Sequence, residues 1–136
     1  RLGDPETQVI MFRMQSDFLE VLQKAMKGEL AGVELSWKEG AAACVVASSR
    51  GYPQKVDDGK ELSGLFEGSE DLFVFQAGPK FSESSEEKIL TKGGRVLAVT
   101  AVGDDVDAAL SSAYAGMEKI SFEGMHYRKD IGSNNG

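Results

Sequence analysis

From Ala41 onward the spacing of apolar residues changes, and that change limits the folds open to this 136-residue chain. Before it, apolar side chains recur every three or four residues, as on a helix with one buried face. After it comes a continuous apolar run over 41–49, centred on Val45 and Val46, which is the pattern of a strand covered on both sides. Gly51-Tyr52-Pro53 breaks the run. Residues 54–70 are polar and dotted with glycine, and read as a loop with room for one short strand. Residues 72–76 make a second strand, and 81–88, rich in Ser and Glu, an exposed loop. Ile89-Leu90-Thr91, Lys92-Gly93-Gly94 and 95–102 read together as a hairpin, the glycines supplying the positive φ of a tight turn.

Helices flank this region. Asp4-Pro5-Glu6 has the form of a helix start, Asp4 capping the first free amides and Pro5 taking the first helical position. Val9, Ile10 and either Phe12 or Met14 supply its buried side. A second helix begins at Asp17, with Glu20 as a capping-box partner and Phe18, Leu19, Leu22, Ala25 and Met26 as its apolar stripe. Lys24 and Lys27 favour its negative end, and Gly28 stops it. The longest helix spans 105–120, capped by Asp104, with Ala109, Ala113, Met117 and Ile120 among the residues of its core-facing stripe. Residues 133–136 form a frayed tail. Helices, then strands, then a helix make an α+β fold with a mostly antiparallel sheet.

Composition removes several functions. A net charge of −7 does not suit a general nucleic-acid-binding face, which needs clustered Lys and Arg. No apolar run is long enough to span a bilayer. One Cys and one His cannot build a zinc site by themselves. Cys44 lies inside the apolar run and reads as a buried structural thiol. Arg128 and Asp130 read as a structural ion pair or as backbone contacts that dock the end of the chain, and Glu118 and Glu123 as surface charges.

Five segments resemble one family in its own order. Arg1-Leu2-Gly3-Asp4-Pro5-Glu6-Thr7-Gln8 resembles the stretch that follows the magnesium ligands in the glycinamide ribonucleotide synthetase (phosphoribosylamine–glycine ligase) family of ATP-grasp enzymes. The family pattern there is roughly Glu-x-Asn-x-Arg-Phe-Gly-Asp-Pro-Glu-Thr-Gln, and Leu2 stands in the Phe place. Ala47-Ser48-Ser49-Arg50-Gly51-Tyr52-Pro53 is similar to Ala-Ser-x-Gly-Tyr-Pro with one extra residue. Gln76-Ala77-Gly78-Pro79-Lys80 is similar to His-Ala-Gly-Thr, departing at Gln76 and Pro79. The Thr91-Lys92-Gly93-Gly94-Arg95-Val96-Leu97 run and Tyr127-Arg128-Lys129-Asp130-Ile131-Gly132 match closely.

The resemblance implies that residues 1–30 end an ATP-grasp core and that 31–136 form a small C-terminal β-rich domain. It implies an ATP-dependent ligation of glycine to 5-phosphoribosylamine through glycyl phosphate, in purine biosynthesis. The expected metal ligands would lie upstream of Arg1, so ATP and magnesium would be held mainly by the rest of the enzyme. This chain alone is expected to be inactive. The implied partners are small-molecule substrates and the remainder of the enzyme, with no nucleic acid and no membrane. The implied compartment is the cytoplasm, or the plastid in a plant or alga.

No residue stands out as catalytic. For substrate binding, Arg95 follows Gly93-Gly94, where small residues permit a close approach and a guanidinium offers a planar fork to phosphate oxygens. Lys80 can add charge beside it, while Lys92 ranks below both. Asp4 can accept from the amine or from sugar hydroxyls, although capping the first helix would engage the same oxygen. Arg1 can contact an anion. The competing account makes all of these solvated turn charges or caps, and the chain a structural or interaction module without a substrate site.

Overall fold

The computed structural model of the chain describes residues 2–82 and 88–133. Two helices, α1 (Glu6–Arg13) and α2 (Phe18–Lys27), precede β1 (Ala41–Ser48), β2 (Leu72–Gln76), the short β3 (Lys80–Phe81) and β4 (Ile89–Leu90), β5 (Arg95–Gly103) and finally α3 (Val106–Met117). The α+β class read from the sequence holds. β1, β5 and β2 form an antiparallel sheet in that order, with β5 in the middle.

The register sorts the side chains onto two faces, because successive residues of a strand point to opposite sides. Val45, Val99 and Val74 lie abreast on one face, beside Ala43, Ala101 and Leu72. α3 covers that face with Ala109, Ala113 and Met117, all fully buried. Gly116 lets the helix approach closely: a Cβ there would lie 2.9 Å from Val99 Cγ1 and 3.2 Å from Leu72 Cδ1. The opposite face carries Cys44, Thr100 and Phe73 abreast, then Val46, Ala98 and Phe75. α1 lies over part of it, with Phe12 meeting Phe75 edge-on at 6.3 Å between ring centres.

Several sequence expectations need correction. Ile89-Leu90 does not form a hairpin with β5. β4 pairs instead with β3, and both sides of β5 are taken by β1 and β2. Asp4 does not cap α1: Pro5 occupies the cap position with no side-chain hydrogen bond, because the Asp4 carboxylate turns toward Arg95. α3 is capped by Asp105, whose Oδ1 accepts from the Ala108 amide at 2.8 Å, and not by Asp104. The exposed-loop expectation over 81–88 and the frayed-tail expectation fall mostly on 83–87 and 134–136, outside the described residues.

α2 has the termini its sequence announces. Asp17 Oδ1 accepts from the Leu19 and Glu20 amides at 2.8 and 3.2 Å, and Gly28 closes the helix at φ 74°. Its apolar stripe is nevertheless uncovered, with Leu19 63%, Leu22 43% and Met26 89% exposed. Helical periodicity shows that a face is apolar; it does not show what covers it.

The close seating of α3 yields a stability prediction. Gly116→Ala gains about 1 kcal/mol of helix propensity but drives a methyl into Val99, which has no room to move. Overpacking of this kind costs about 1–3 kcal/mol. A thermal melt should therefore show a net loss of stability. A variant that melts at or above wild type contradicts this packing.

Candidate functional site

Three separated segments converge at the start of β5. Thr91 is fully buried and exchanges three hydrogen bonds with 59–60: its amide donates to the Lys60 carbonyl at 2.8 Å, its hydroxyl accepts from the Lys60 amide at 3.0 Å, and its carbonyl accepts from the Gly59 amide at 2.8 Å. Gly93, at φ +78°, donates its amide to Asp58 Oδ2 at 3.1 Å. Ser49 closes the corner from the other side, its hydroxyl donating to the Gly93 carbonyl at 3.0 Å and its amide to the Gly94 carbonyl at 2.8 Å. The Tyr52 ring fills the place a Gly94 side chain would take, so only glycine fits there.

This corner delivers Arg95 beside the N-terminal segment. Arg95 Nη1 donates to the Asp4 carbonyl at 3.0 Å, and Nη2 lies 3.2 Å from Asp4 Oδ2. The two side chains are 39% and 51% exposed, so the pair contributes little stability, about 0–1 kcal/mol. Its effect is geometric. A guanidinium has five N–H donors, and those not engaged by Asp4 remain available to a ligand.

A cleft of about 440 Å³ opens beside Arg95. Pro5, Cys44 and Val46 form its floor, and Tyr52 and Tyr127 stand in its walls. Its far side is the C-terminal segment, fixed by reciprocal backbone bonds between Ser48 and His126 at 2.8 and 3.0 Å. Tyr114 anchors the same segment, its hydroxyl donating to the Arg128 carbonyl at 2.9 Å and accepting from the Ile131 amide at 3.2 Å. Arg128 and Asp130 form the ion pair expected from the sequence, at 2.9 and 2.5 Å, which holds the Asp130 carboxyl below its ordinary range.

The expected binding residues thus separate. Asp4 and Arg95 are brought together. Lys80 sits exposed on β3 opposite Leu90 and does not line the cleft. Arg1 lies outside the described residues. Tyr52, His126 and Tyr127 went unnoticed as lining residues, although Tyr52 and Tyr127 belong to segments that carry the resemblance. Among the described residues no group of three His, Cys, Asp or Glu can hold a metal ion. No helix among them is long and apolar enough to cross a membrane.

Comparison with known proteins agrees with this architecture. Residues 42–134 match the family described as phosphoribosylglycinamide synthetase, C domain. The chain belongs to that family. Among its relatives, the phosphoribosylamine–glycine ligase of Caldanaerobacter subterraneus subsp. tengcongensis is 46% identical over 131 residues, covering 96% of this chain and 30% of its own length. The bifunctional purine biosynthetic protein of Dictyostelium discoideum is 42% identical over 97% of this chain and 16% of its own. The crystal structure of the Thermotoga maritima phosphoribosylamine–glycine ligase superimposes with a TM-score of 0.80 at 37% identity, over 96% of this chain and 31% of that one. This chain therefore spans about a third or less of the length of these relatives.

Cys44 is half-buried, more open than the sequence suggested, and lines the cleft floor. Burial pushes its thiol pKa up, the neighbouring Thr100 side chain pulls it partly back, and the Asp4 carboxylate adds to the rise. A raised folded-state value favours the neutral thiol. The stability this lends is complete below the unfolded pKa and is lost as pH rises through the folded one. The pH midpoint for alkylation by iodoacetamide should lie higher in the folded chain than in the same chain unfolded in urea. A folded midpoint at or below the unfolded one contradicts the assignment.

Proposed function

We propose that this chain is the C-terminal part of a phosphoribosylamine–glycine ligase and supplies the phosphosugar side of its active site. In that reaction a glycine carboxylate oxygen attacks the γ-phosphorus of ATP, ADP leaves and glycyl phosphate forms. The amine of 5-phosphoribosylamine then attacks the acyl carbon, phosphate leaves, and the nitrogen gives up a proton. Magnesium neutralises phosphate charge in such chemistry, and the family resemblance assigns the metal and ATP mainly to the rest of the enzyme.

The observation that carries the reading is Arg95, held at a corner to which two of the family-like segments contribute and paired with Asp4 of a third, with N–H donors left over after Asp4 is served. Its role is to bind the 5-phosphate. Asp4 fixes the guanidinium from behind, and its second oxygen, 3.5 Å from Gln8 Nε2, can accept from the amine or a sugar hydroxyl. Lys80 acts at most as a distant helper. Residues 1–30 are assigned to the end of the ATP-grasp core. The uncovered apolar face of α2 supports this, since this chain matches only 30% of the length of such a relative and a covering surface can reside in the remainder. The complete enzyme is placed in the cytoplasm, or in the plastid of a plant or alga. A second reading keeps the chain as a structural module, and one observation favours it: Arg95 already has a partner in Asp4.

Kinetics of the complete protein separate the two. Losing a charge-assisted bond to phosphate costs about 1.5–3 kcal/mol, or roughly tenfold to a hundredfold in binding. Arg95→Ala should raise KM for phosphoribosylamine by that factor and leave those for ATP and glycine near wild type. Arg95→Lys should recover part of the loss, since it keeps the charge without the fork. If all three constants stay near wild type, or if the change tracks a fall in melting temperature, Arg95 is structural.

A further inference from the structure

The cleft beside Arg95 does not have the lining of a bare phosphosugar site. Most of its floor and walls is apolar or aromatic, from Pro5, Cys44, Val46, Tyr52, Tyr127 and Ile131, with Ser48 among them. A ribose alone would leave most of that apolar and aromatic surface unused. The rim is the opposite in character. Arg95, Arg128 and His126 all line the cleft, and no carboxylate does, in a chain whose net charge is −7. Each arginine is braced by a carboxylate that is not among the lining residues, Arg95 by Asp4 and Arg128 by Asp130. Braced arginines lose little freedom when they bind an anion.

The geometry points to a second ligand class for this cleft: a phosphate monoester that carries a planar ring, of the size of a nucleoside monophosphate. Its phosphate would sit on Arg95 and Arg128, and its ring on Val46 between Tyr52 and Ile131. The volume of about 440 Å³ falls within the roughly 300–1,000 Å³ range of small-molecule sites. Ring stacking on tyrosine and burial of an apolar floor provide affinity that a ribose phosphate alone cannot collect. The inference goes beyond the ligase reading and shares only Arg95 with it. Where both hold, such a monophosphate competes with phosphoribosylamine and restrains the enzyme.

The test follows the methyl NMR signals of Val46 and Ile131 in the complete protein during titration with AMP, ribose 5-phosphate, adenosine and inorganic phosphate. AMP should shift these signals and bind at least about tenfold tighter than each of the other three, and Arg128→Ala should weaken AMP by about tenfold. The proposal is overturned if AMP leaves both signals unmoved at millimolar concentration, or if the response survives Arg128→Ala unchanged. It is equally overturned if ribose 5-phosphate binds as tightly as AMP, since the apolar floor then plays no part, or if adenosine does, since the arginines then play none. Arg95 is untouched in this experiment, so its outcome is independent of the phosphoribosylamine kinetics.

Discussion

β5 cannot slide, and the rest of the molecule is registered against it. It is paired on both edges, and Val96 to Ala101 are buried without a break. A slip of one residue would turn Val99 away from α3 and present Thr100 to the core instead. Gly116 fits against Val99 in the existing register alone. The same constraint fixes where β5 begins. An irregularity between Ala47 and Ser48 shifts the pairing there, so that Ser48 stands opposite Arg95. Bulges of this kind redirect a side chain at the end of a ladder. Arg95 is thereby sent off the sheet toward the N-terminal segment.

The pair it forms with Asp4 spans ninety-one positions of sequence and joins the helical segment to the sheet. Because both groups are half open to water, the pair adds little to stability. It settles instead which way the guanidinium faces. That one contact accounts for the bare cap of α1 and the orientation of the one arginine of β5.

Much of the scaffold was legible in the sequence because its signals are local. Asp17 and Gly28 mark the ends of α2, the apolar run marks β1, and the 3.6-residue stripe marks α3. What failed depended on distant partners. Gly93-Gly94 has the composition of a hairpin turn, yet its glycines serve a corner packed by Tyr52 and Ser49 from another segment. Asp4 has the side chain of a cap but finds a cation at Arg95 that outcompetes the helix amides. The stripe of α2 is helical in period, but its cover is not among the described residues. For the site, Arg95 and Asp4 were each visible through the family-like segments; their mutual contact was not. The aromatic walls of the cleft carry no spacing signal at all, since they come from segments some seventy residues apart.

The central claim is that Asp4 holds Arg95 in place to bind an anionic substrate. A double-mutant cycle on the KM for phosphoribosylamine in the complete protein tests it most directly. Asp4→Asn should raise KM in the wild-type background and change it little in an Arg95→Ala background, because the residue it positions is then gone. Equal effects of Asp4→Asn in both backgrounds would show that the two side chains act independently and would contradict the account.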